Sequence, residues 1–492
     1  MVDAQAPGAK SGPGQEAGPD PKADGAHVLS AGIGGDGLPM PRRIWAICAI
    51  SFGTALFVVD GAVANVALPT IARDLSVSDG AATSVVTIYQ LVMVMVLLPF
   101  ATIGDRIGHR RLYQIGQIVF FAASAAAFLI DSFWQLIAVR VVQSFGAGIA
   151  LAVSAAMLRT IYPARSLGSG LGINSVIVAT AYAIAPTLGG FIVEHLDWRW
   201  VFVAAAPLAL ISLAIGRFLP DPEPRNGRID AVSGVWSAVT AMLLIGGLTL
   251  ATHDRIMPGL AAVALGIVSA FLLTRRERTK ERPVLPVDLM RRPVIGLSVL
   301  AAVCAFVASA MLIVALPFRF EQGMGYSPDE VGLLIAPFPL TMLVVAPAAG
   351  WLSDRISPSV MGVVGMGIAI AGLVALAFMP DQAGAAGIAW RLSICALGFG
   401  LFLAPNSRLM IGSAPKDRSA AAGGMLSTAR LFGQSTGAAV VGLLLALGLG
   451  LGATPYTVAL AFCVLAMACS AWRFKATGAT IVRKPQHPDT VR

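Results

Sequence analysis

Two charged residues, Asp60 and Arg140, lie inside long apolar stretches of the sequence, where a charge is costly. At 1.5 Å per helical residue, Asp60 is about 24 Å from Ile44 and about 14 Å from Pro69, just past the middle of its stretch. Arg140 is about 10 Å from Phe133, where its own stretch begins. An acid at that depth is a functional candidate by default. The similar depths predict a pair in which the carboxylate takes up a proton from one side of a membrane and releases it to the other.

Purely structural roles stay open for both residues. Asp60 could bond to a neighbouring backbone group or to a Ser or Thr hydroxyl, with no part in proton transfer. Arg140 could cap backbone carbonyl groups, or it could extend its long side chain towards the membrane surface. Similar depth is necessary for a pair but does not prove one.

Two turns of similar sequence follow apolar stretches and carry an Asp-Arg pair. They contain Asp105, Arg106, Gly108 and Arg110 in the first turn, and Asp354 and Arg355 in the second. A carboxylate in such a turn can bond to a helix N-terminus or to an arginine of an opposing element, and that bond must break when the protein changes state. We interpret both turns as gating elements. The alternative is that they only supply the positive charge that orients membrane helices.

Further polar residues fall inside apolar stretches and are candidates for lining a substrate cavity. They are Asn65, Tyr89, Gln90, Gln143, Asn174, Asn406, Arg430 and Gln434. Such side chains either contact a ligand or bond to a neighbouring helix, so both roles stay open. For Arg430, a cavity-facing orientation and extension towards the membrane surface are equally compatible with its position. Glu194, His195 and Asp197 fall at an external helix end, where a charge costs little. Glu321 also falls at the end of a stretch or in a loop, and it or Glu194 could face a cavity that is open to the outside.

The elements that hold these residues must be membrane helices, because a chain of this composition is too apolar to fold in water. Hydrophobic residues make up 57% of the 492 residues and charged residues 12%, whereas a soluble domain carries about 25% charged residues. The mean hydropathy is +0.78. Residues 1–43 differ, because they are rich in Gly, Pro, Ala and Asp, and we predict a disordered cytoplasmic tail there.

The sequence indicates neither a metal site nor a cofactor. The five cysteines are scattered through apolar stretches, with the spacing of neither a zinc site nor a disulfide pair. No phosphate-binding loop of the Gly-x-x-x-x-Gly-Lys-Ser/Thr type is present, so ATP hydrolysis is unsupported and we expect no enzymatic activity. An ion gradient is then the expected energy source.

Fourteen apolar stretches approach the roughly 20 residues that a helix needs to cross a bilayer. They cover residues 44–68, 82–103, 112–130, 134–158, 167–193, 199–217, 232–252, 257–274, 294–317, 328–351, 358–379, 387–411, 419–449 and 454–472. An even number of spans places both termini on one side. The boundary within the long stretch 419–453 is the least defined.

The distribution of basic residues predicts the orientation. Most of the 35 Lys and Arg residues fall in segments that are cytoplasmic if the N-terminus is inside. The predicted external loops contain five, which are Arg73, Arg199, Arg255, Arg319 and Arg391. By the positive-inside rule, both termini are predicted to be cytoplasmic in a multi-pass protein of the cell (inner) membrane. The net charge of +9 is then a result of topology, and no nucleic-acid partner is expected.

The repeated Asp-Arg turn indicates two related parts of the chain. If each turn follows the second helix of a six-helix half, the halves are residues 44–217 and 294–472, and the two spans within 232–274 are inserted between them. Residues 473–492 are then a second cytoplasmic tail. The predicted fold class is an all-α integral membrane protein with fourteen transmembrane helices.

Sequence motifs from the first span to the last resemble those of the major facilitator superfamily, specifically its fourteen-helix drug:proton antiporter branch. The first Asp-Arg turn matches the family's loop motif of Gly, then Asp-Arg, then Gly-Arg-Arg, with departures at Ala101 and His109. The first span ends in a motif similar to the branch's Asp-x-Thr-x-x-Asn-Val-Ala-Leu-Pro. It keeps Asp60, Asn65 and the final Val-Ala-Leu-Pro, with Ala62 in place of Thr.

The fourth span contains Arg140, Gln143 and Gly146 in the family's spacing Arg-x-x-Gln-Gly-x-Gly, with Ser144 in place of the first Gly. The resemblance implies that this arginine takes part in proton coupling. Each motif alone is weak evidence. Four motifs in order, at the right helices, make the resemblance specific.

The fifth span is similar to the exporter motif Gly-x-x-x-Gly-Pro-x-x-Gly-Gly. It keeps Pro186, Gly189 and Gly190, with Ala181 and Ala185 where the motif has Gly. These residues break a helix and let backbones approach closely, and the resemblance implies that they seal the centre against proton leak. Ordinary packing of membrane helices explains them equally well.

The resemblance implies a major facilitator fold and a proton-coupled exporter of lipophilic, often cationic small molecules such as antiseptics, dyes or antibiotics. The expected partners are a small-molecule substrate, protons and the lipid bilayer, with the monomer as the functional unit. Two alternatives are an uptake symporter for a small nutrient and a non-transporting membrane sensor or scaffold. Because Asp60 is the one acid deep in a span, neutral or monovalent compounds are expected to be handled better than compact divalent cations.

Overall fold

The computed structural model describes the middle of the chain and leaves out most of both predicted tails. The described residues are 37–162, 167–220, 230–252, 255–280, 286–415 and 418–477. Within these ranges the regular structure is helical. Because lipid cannot hydrogen-bond to backbone groups, a chain this apolar satisfies them within its own helices.

Fourteen long helices follow one another along the described chain, in addition to two short helices at Asp79–Ala82 and Val287–Met290. The first seven are α1 Arg42–Asp74, α2 Ser84–Ile107, α3 His109–Leu129, α4 Phe133–Ile161, α5 Leu167–His195, α6 Trp198–Phe218 and α7 Val232–Ala251. The other seven are α8 Ile256–Glu277, α9 Pro293–Phe318, α10 Pro328–Leu352, α11 Pro358–Ala377, α12 Ala385–Gly412, α13 Ser419–Ala446 and α14 Thr454–Thr477. We refer to α1–α6 as the first six helices and to α9–α14 as the last six.

The predicted fold class is confirmed over the described residues. Thirteen of these helices are long and apolar enough to cross a membrane, and α5, with 29 residues, covers the remaining predicted span. The observed bounds follow the predicted stretches closely, except at the C-terminus. There α14 continues to Thr477, and Arg473, which the prediction assigned to the tail, is buried. The predicted span ended too early because a charged residue was taken as its limit.

Local sequence signals explain several helix boundaries. Proline begins α9, α10 and α11, where its missing N–H is not needed. Ser132 and Ser327 form capping boxes with Gln135 and Glu330 at the starts of α4 and α10. The stretch 419–453 is divided after α13 by Gly448, whose φ of 73° lies in the left-handed region.

The same helix pairs recur in the first six and the last six helices. In the first six, α1 packs against α5, α2 against α4, and α3 against α4. In the last six, the corresponding pairs α9 with α13, α10 with α12, and α11 with α12 are present. Helix α8 packs against α7, which in turn contacts α2 and α13. The division into two halves with an inserted pair stays a prediction, and these contacts agree with it.

Candidate functional site

Asp60 and Arg140 meet in the interior of the first six helices. Nη1 of Arg140 lies 2.9 Å from Oδ2 of Asp60, and neither side chain is exposed. Helix α1 supplies the acid and α4 the base, and the predicted pairing is therefore present. A buried ion pair needs further hydrogen bonds to be tolerated, and removing one partner typically costs about 3–5 kcal/mol.

Arg140 is also held by neutral groups of its surroundings. Nη1 donates to Oε1 of Gln143 at 3.0 Å, and Nε donates to the Val85 carbonyl oxygen at 3.4 Å. The guanidinium lies over the ring of Tyr89 at 4.0 Å and over that of Phe202 at 5.0 Å. Aromatic faces attract a cation in this geometry. Two of the predicted cavity residues, Tyr89 and Gln143, therefore belong to the charge network.

Gln143 ties this network to the neighbouring helices. Its Nε2 donates to Oγ of Ser124 in α3 at 2.9 Å and to the Phe202 carbonyl oxygen in α6 at 3.1 Å. The hydroxyl of Ser144 donates to the Arg140 carbonyl oxygen at 2.7 Å. Gln143 thus holds Arg140 through hydrogen bonds that do not involve Asp60.

The pair contains one group that can change its charge and one that cannot. An arginine stays protonated at any physiological pH, whereas a carboxyl group can bind or release a proton. Burial favours the neutral carboxyl, and the neighbouring guanidinium favours the carboxylate. These opposing effects allow a single buried acid to cycle a proton when its access to water changes.

The first Asp-Arg turn joins α2 to α3. Asp105 lies at the end of α2, and its side chain lies outside the described part of the structure. Arg106 is exposed and Arg110 is half-buried. Gly108 has a φ of 102° and donates its N–H to the Gly104 carbonyl oxygen at 3.1 Å. The chain reversal therefore explains the glycine of this motif, since other residues rarely adopt that φ.

The second Asp-Arg turn makes its contacts within the last six helices. Asp354 forms an ion pair with Arg408 of α12, and both side chains are about half exposed. Arg408 also donates to Oγ of Ser353 at 2.9 Å, and Arg355 lies over the Trp351 ring at 3.7 Å. The turn thus holds its own helices together, and in the part of the chain that the structure describes it forms no ion pair with an arginine of the first six. An exposed pair of this kind contributes at most about 1 kcal/mol.

The glycine pair of α5 lies where α5 meets α1 and α10. A Cβ atom on Gly189 would be 2.9 Å from a backbone oxygen of α1, and one on Gly190 would overlap the Pro328 carbonyl oxygen. From the other side, a Cβ atom on Gly332 would be 2.6 Å from the Pro186 carbonyl oxygen. Only glycine allows backbones to approach this closely. The motif residues therefore join the first six helices directly to the last six.

Ion pairs and hydrogen bonds join the first and last six helices at the predicted external end. Arg73, at the end of α1, lies 2.5 Å from Glu321, just after α9. Gln322 donates to Asp79 at 2.9 Å. Glu321 lies at the end of its span, as the sequence indicated, but its side chain is only 4% exposed. The available signal was an acid and a base at span ends on the same predicted side.

A small apolar pocket lies between the first and last six helices, inward of these contacts. It is lined by Ala62, Asn65, Val66, Tyr182, Pro186, Ile313, Ile335 and Pro339. Asn65 turns its Nδ2 to the Gly61 carbonyl oxygen of its own helix at 3.1 Å. Asn65 is thus a predicted cavity residue that the structure places at a pocket wall.

Asn406 was predicted as a cavity candidate, but the structure gives it a role in packing. Its Nδ2 donates to the Ser298 carbonyl oxygen at 3.0 Å, and its Oδ1 accepts from Arg473 at 2.6 Å. Arg473 donates further to Oγ of Ser298 at 2.7 Å and of Ser359 at 3.0 Å. Four helices contribute to this cluster, so no local sequence pattern could indicate it.

The remaining candidates differ in their surroundings. Gln90, Arg430 and Gln434 are half-buried in α2 and α13. Asn174 lies in α5, and its side chain lies outside the described part of the structure.

The charged residues after α5 lie at the protein surface. Glu194 and His195 are exposed. Asp197 accepts a hydrogen bond from the backbone N–H of Arg199 at 2.8 Å and forms an ion pair with its side chain at 3.0 Å. The interpretation of Glu194, His195 and Asp197 as surface residues agrees with their exposure.

The architecture is that of a helical membrane protein with a buried ion pair, and comparison with known proteins gives the family. The family model of the Major Facilitator Superfamily matches residues 50–438 and 299–490. The chain belongs to the Major Facilitator Superfamily.

Curated relatives of similar length include several transporters. The uncharacterized transporter YebQ of Escherichia coli K12 is 43% identical over 415 residues, which cover 83% of this chain and 91% of the relative. The riboflavin transporter RibZ of Clostridioides difficile is 27% identical, covering 81% of this chain and 88% of the relative. The multidrug efflux pump LfrA of Mycolicibacterium smegmatis is 27% identical, covering 82% and 81%.

Solved structures share the fold at low sequence identity. A POT family transporter in complex with 5-aminolevulinic acid has a TM-score of 0.66 at 15% identity, covering 88% of this chain and 96% of that chain. A bacterial homolog of the human lysosomal transporter Spinster, in an inward-facing and unoccupied conformation, has a TM-score of 0.63 at 17% identity, covering 89% and 98%.

Proposed function

We propose that this transporter expels lipophilic small molecules in exchange for protons. The observation that carries the proposal is the fully buried pair of Asp60 and Arg140, in which one partner can change its charge. A structural scaffold has no need of such a pair, because apolar residues of similar volume are often as stable as a buried ion pair or more so. This argues against the sensor or scaffold alternative.

In the proposed cycle, Asp60 accepts a proton when the site opens to the predicted external side. The neutral carboxyl then no longer attracts Arg140, which keeps its bonds to Gln143 and to the Val85 carbonyl oxygen. The change in charge alters the relative free energies of the inward-open and outward-open states. Release of the proton to the cytoplasm restores the pair. Each elementary charge that crosses a membrane potential of 100 mV releases about 2.3 kcal/mol, and this free energy drives the cycle.

The direction of transport is supported by resemblance. The chain keeps part of the exporter motif in α5, and its relative LfrA is named a multidrug efflux pump. The relative RibZ is named a riboflavin transporter. Uptake of a small nutrient is therefore the second candidate function. The absence of a phosphate-binding loop from the sequence leaves an ion gradient as the energy source for either direction.

The proposal includes a membrane arrangement and two gates. Both termini are cytoplasmic, the protein lies in the cell membrane, and the monomer is the transporting unit. The first Asp-Arg turn, with Asp105, Arg106, Gly108 and Arg110, acts as the cytoplasmic gate of the first six helices. The second turn, with Asp354 and Arg355, stabilises the cytoplasmic gate of the last six helices. The contact of Arg73 with Glu321 supports a closed external end in this conformation.

Everted membrane vesicles test the direction and the coupling together. Vesicles that contain the protein are energised with an inward-acid proton gradient and supplied with rhodamine B or its ethyl ester. We expect accumulation of dye above that in vesicles lacking the protein, and its loss on addition of an uncoupler. Accumulation that survives the uncoupler would contradict proton coupling. Accumulation confined to right-side-out vesicles would support uptake instead.

A further inference from the structure

Arg430 lies near the middle of α13 and has no partner among the described residues. It is about 17 Å from the first residue of the helix and about 24 Å from the last. Within the described part of the chain, no hydrogen bond, ion pair or aromatic contact involves its guanidinium. The other buried arginines differ, since Arg140, Arg319 and Arg473 are each held by two or more acceptors.

Arg430 lies on a helix that packs between the two groups of six helices. Its side chain is half-buried. Helix α13 is wedged between α9 and α2, because a Cβ atom on Gly433 would be 2.8 Å from the Val303 carbonyl oxygen, and Ser435 donates to the Thr87 carbonyl oxygen at 3.0 Å. Arg430 therefore lies close to the seam between the first and last six helices.

Among the described residues, no carboxylate forms an ion pair with this charge. Asp60 is the one acid deep in any predicted span, and it is paired with Arg140. The pair is neutral as a whole, so Arg430 leaves a net positive charge near the middle of the membrane. An uncompensated cation at that depth is costly. An anion that enters with the substrate would offset the cost.

Gln434 extends the same surface of α13 by one turn. Residues four apart lie on one face of a helix, and Gln434 is half-exposed like Arg430. Within the described residues its amide also has no hydrogen-bond partner. A guanidinium offers two parallel N–H donors to the two oxygens of a carboxylate. The amide one turn away adds a further donor.

We propose that Arg430 and Gln434 bind a carboxylate, or a similarly planar anionic group, of the transported molecule. The inference rests on the proposed function and names its substrate class. That class is lipophilic acids and zwitterions, in contrast to the cations expected from the sequence. The apolar part of such a molecule lies against the uncharged walls of the cavity, and its anionic group takes the position opposite Arg430.

The test compares binding of two dyes to the purified full-length protein in detergent, followed by fluorescence polarisation. Rhodamine B carries a free carboxylate, and its ethyl ester does not. We expect the wild type to bind rhodamine B more tightly than the ester. Arg430→Gln should weaken binding of rhodamine B by about tenfold or more, because a hydrogen bond to a charged group contributes about 1.5–3 kcal/mol. The same variant should bind the ester as the wild type does.

Two further variants separate charge from shape. Arg430→Lys keeps the positive charge without the planar donors, so we expect an intermediate loss for rhodamine B. Gln434→Leu should give a smaller loss with the same selectivity for the acid. Unchanged binding of the ester also shows that each variant is folded.

Three results would overturn the inference. They are equal affinity of the wild type for both dyes, no saturable binding of either dye, and an equal loss of both dyes in Arg430→Gln. The binding assay needs no proton gradient, so acid-selective binding without gradient-driven accumulation would contradict the proposed function alone. Conversely, wild-type accumulation of rhodamine B by vesicles with Arg430→Gln would contradict the substrate site alone.

Discussion

The arginines in the interior of the first six helices and of the last six helices have different kinds of partner. In the first six, Arg140 is paired with the carboxylate of Asp60. In the last six, Arg319 donates to the carbonyl oxygens of Leu376 and Met379 at 2.9 Å, and Arg473 donates to neutral side chains. Arg430 has no partner among the described residues.

The difference separates proton chemistry from substrate binding. Arginines and the neutral oxygens that hold Arg319 and Arg473 do not change charge in the physiological range, and the buried carboxylate of Glu321 lies at the end of its span rather than deep in it. Asp60 can respond, because it is a carboxyl group held beside a fixed cation. We therefore assign proton exchange to the first six helices and recognition of a charged substrate group to the last six.

The largest expected effect is that of Asp60→Asn. The amide has nearly the volume of the carboxyl group, so the protein should still be produced, but it cannot cycle a proton. We expect gradient-driven dye accumulation in everted vesicles to fall to the level of vesicles lacking the protein. Asp381→Asn is the matched control, because Asp381 is 84% exposed and lies 3.9 Å from Arg319. Transport by Asp60→Asn at the wild-type rate would remove the proton role from the first six helices.

A second comparison concerns the charge of the substrate. Because Asp60 is paired with Arg140 and the buried Glu321 is paired with Arg73, a compact dication finds neither of these carboxylates free to offset its desolvation. Cells that express the protein should be protected severalfold less well against benzyl viologen than against its mono-benzylated counterpart. Growth inhibition by the two compounds measures this. Stronger protection against the biscation, retained after Glu194→Gln and Glu321→Gln, would show that the count of buried charges is misleading.

A smaller effect is expected at the two Asp-Arg turns. Asp105→Asn should slow turnover severalfold with little change in dye binding, because the turn is far from the cavity and acts on the exchange between states. Asp354→Asn should have a lesser effect, because its exposed pair with Arg408 contributes at most about 1 kcal/mol. Transport rates are compared with equilibrium binding in detergent. An equal loss of binding and of turnover in Asp105→Asn would argue against a gate.

The smallest effect is expected outside both groups of helices, at the start of α7. Asp230 forms an ion pair with Lys280, and the hydrogen bond from Lys280 lowers the pKa of Asp230 from 3.8 to about 2. A lowered pKa contributes stability above pH 3.8 that is lost as the pH falls towards 2. Asp230→Asn keeps a side chain that can cap α7 and should lower stability by about 1 kcal/mol or less at neutral pH.

Thermal unfolding of the detergent-solubilised protein checks this expectation. The difference in Tm between the wild type and Asp230→Asn should shrink as the pH falls from about 4 to about 2. Dye transport should be unchanged, because the pair lies outside the membrane-spanning part of α7. A Tm difference that is independent of pH would mean that the charge of Asp230 is not what stabilises this region.

The sequence determined the membrane fold, because the length and apolarity of each span follow from the thickness of the bilayer. It also determined that Asp60 and Arg140 share a depth, since depth depends only on counting residues along a helix. The sequence could not predict the hydrogen-bond or ion-pair partner of each polar residue. A helix that is apolar on all sides gives no sign of which face meets which neighbour.

Only the tertiary structure decided those partners, because they come from helices far apart in the chain. It placed Gln143 in the charge network and Asn406 beside Arg473, although both had the same sequence signal as a cavity residue. For Arg430, counting residues leaves two orientations equal, and the structure adds that the side chain is half-buried and has no partner among the described residues. Helix α13 packs against α9 through Gly433 and against α2 through Ser435, and these contacts between distant parts of the chain are what no local pattern can give.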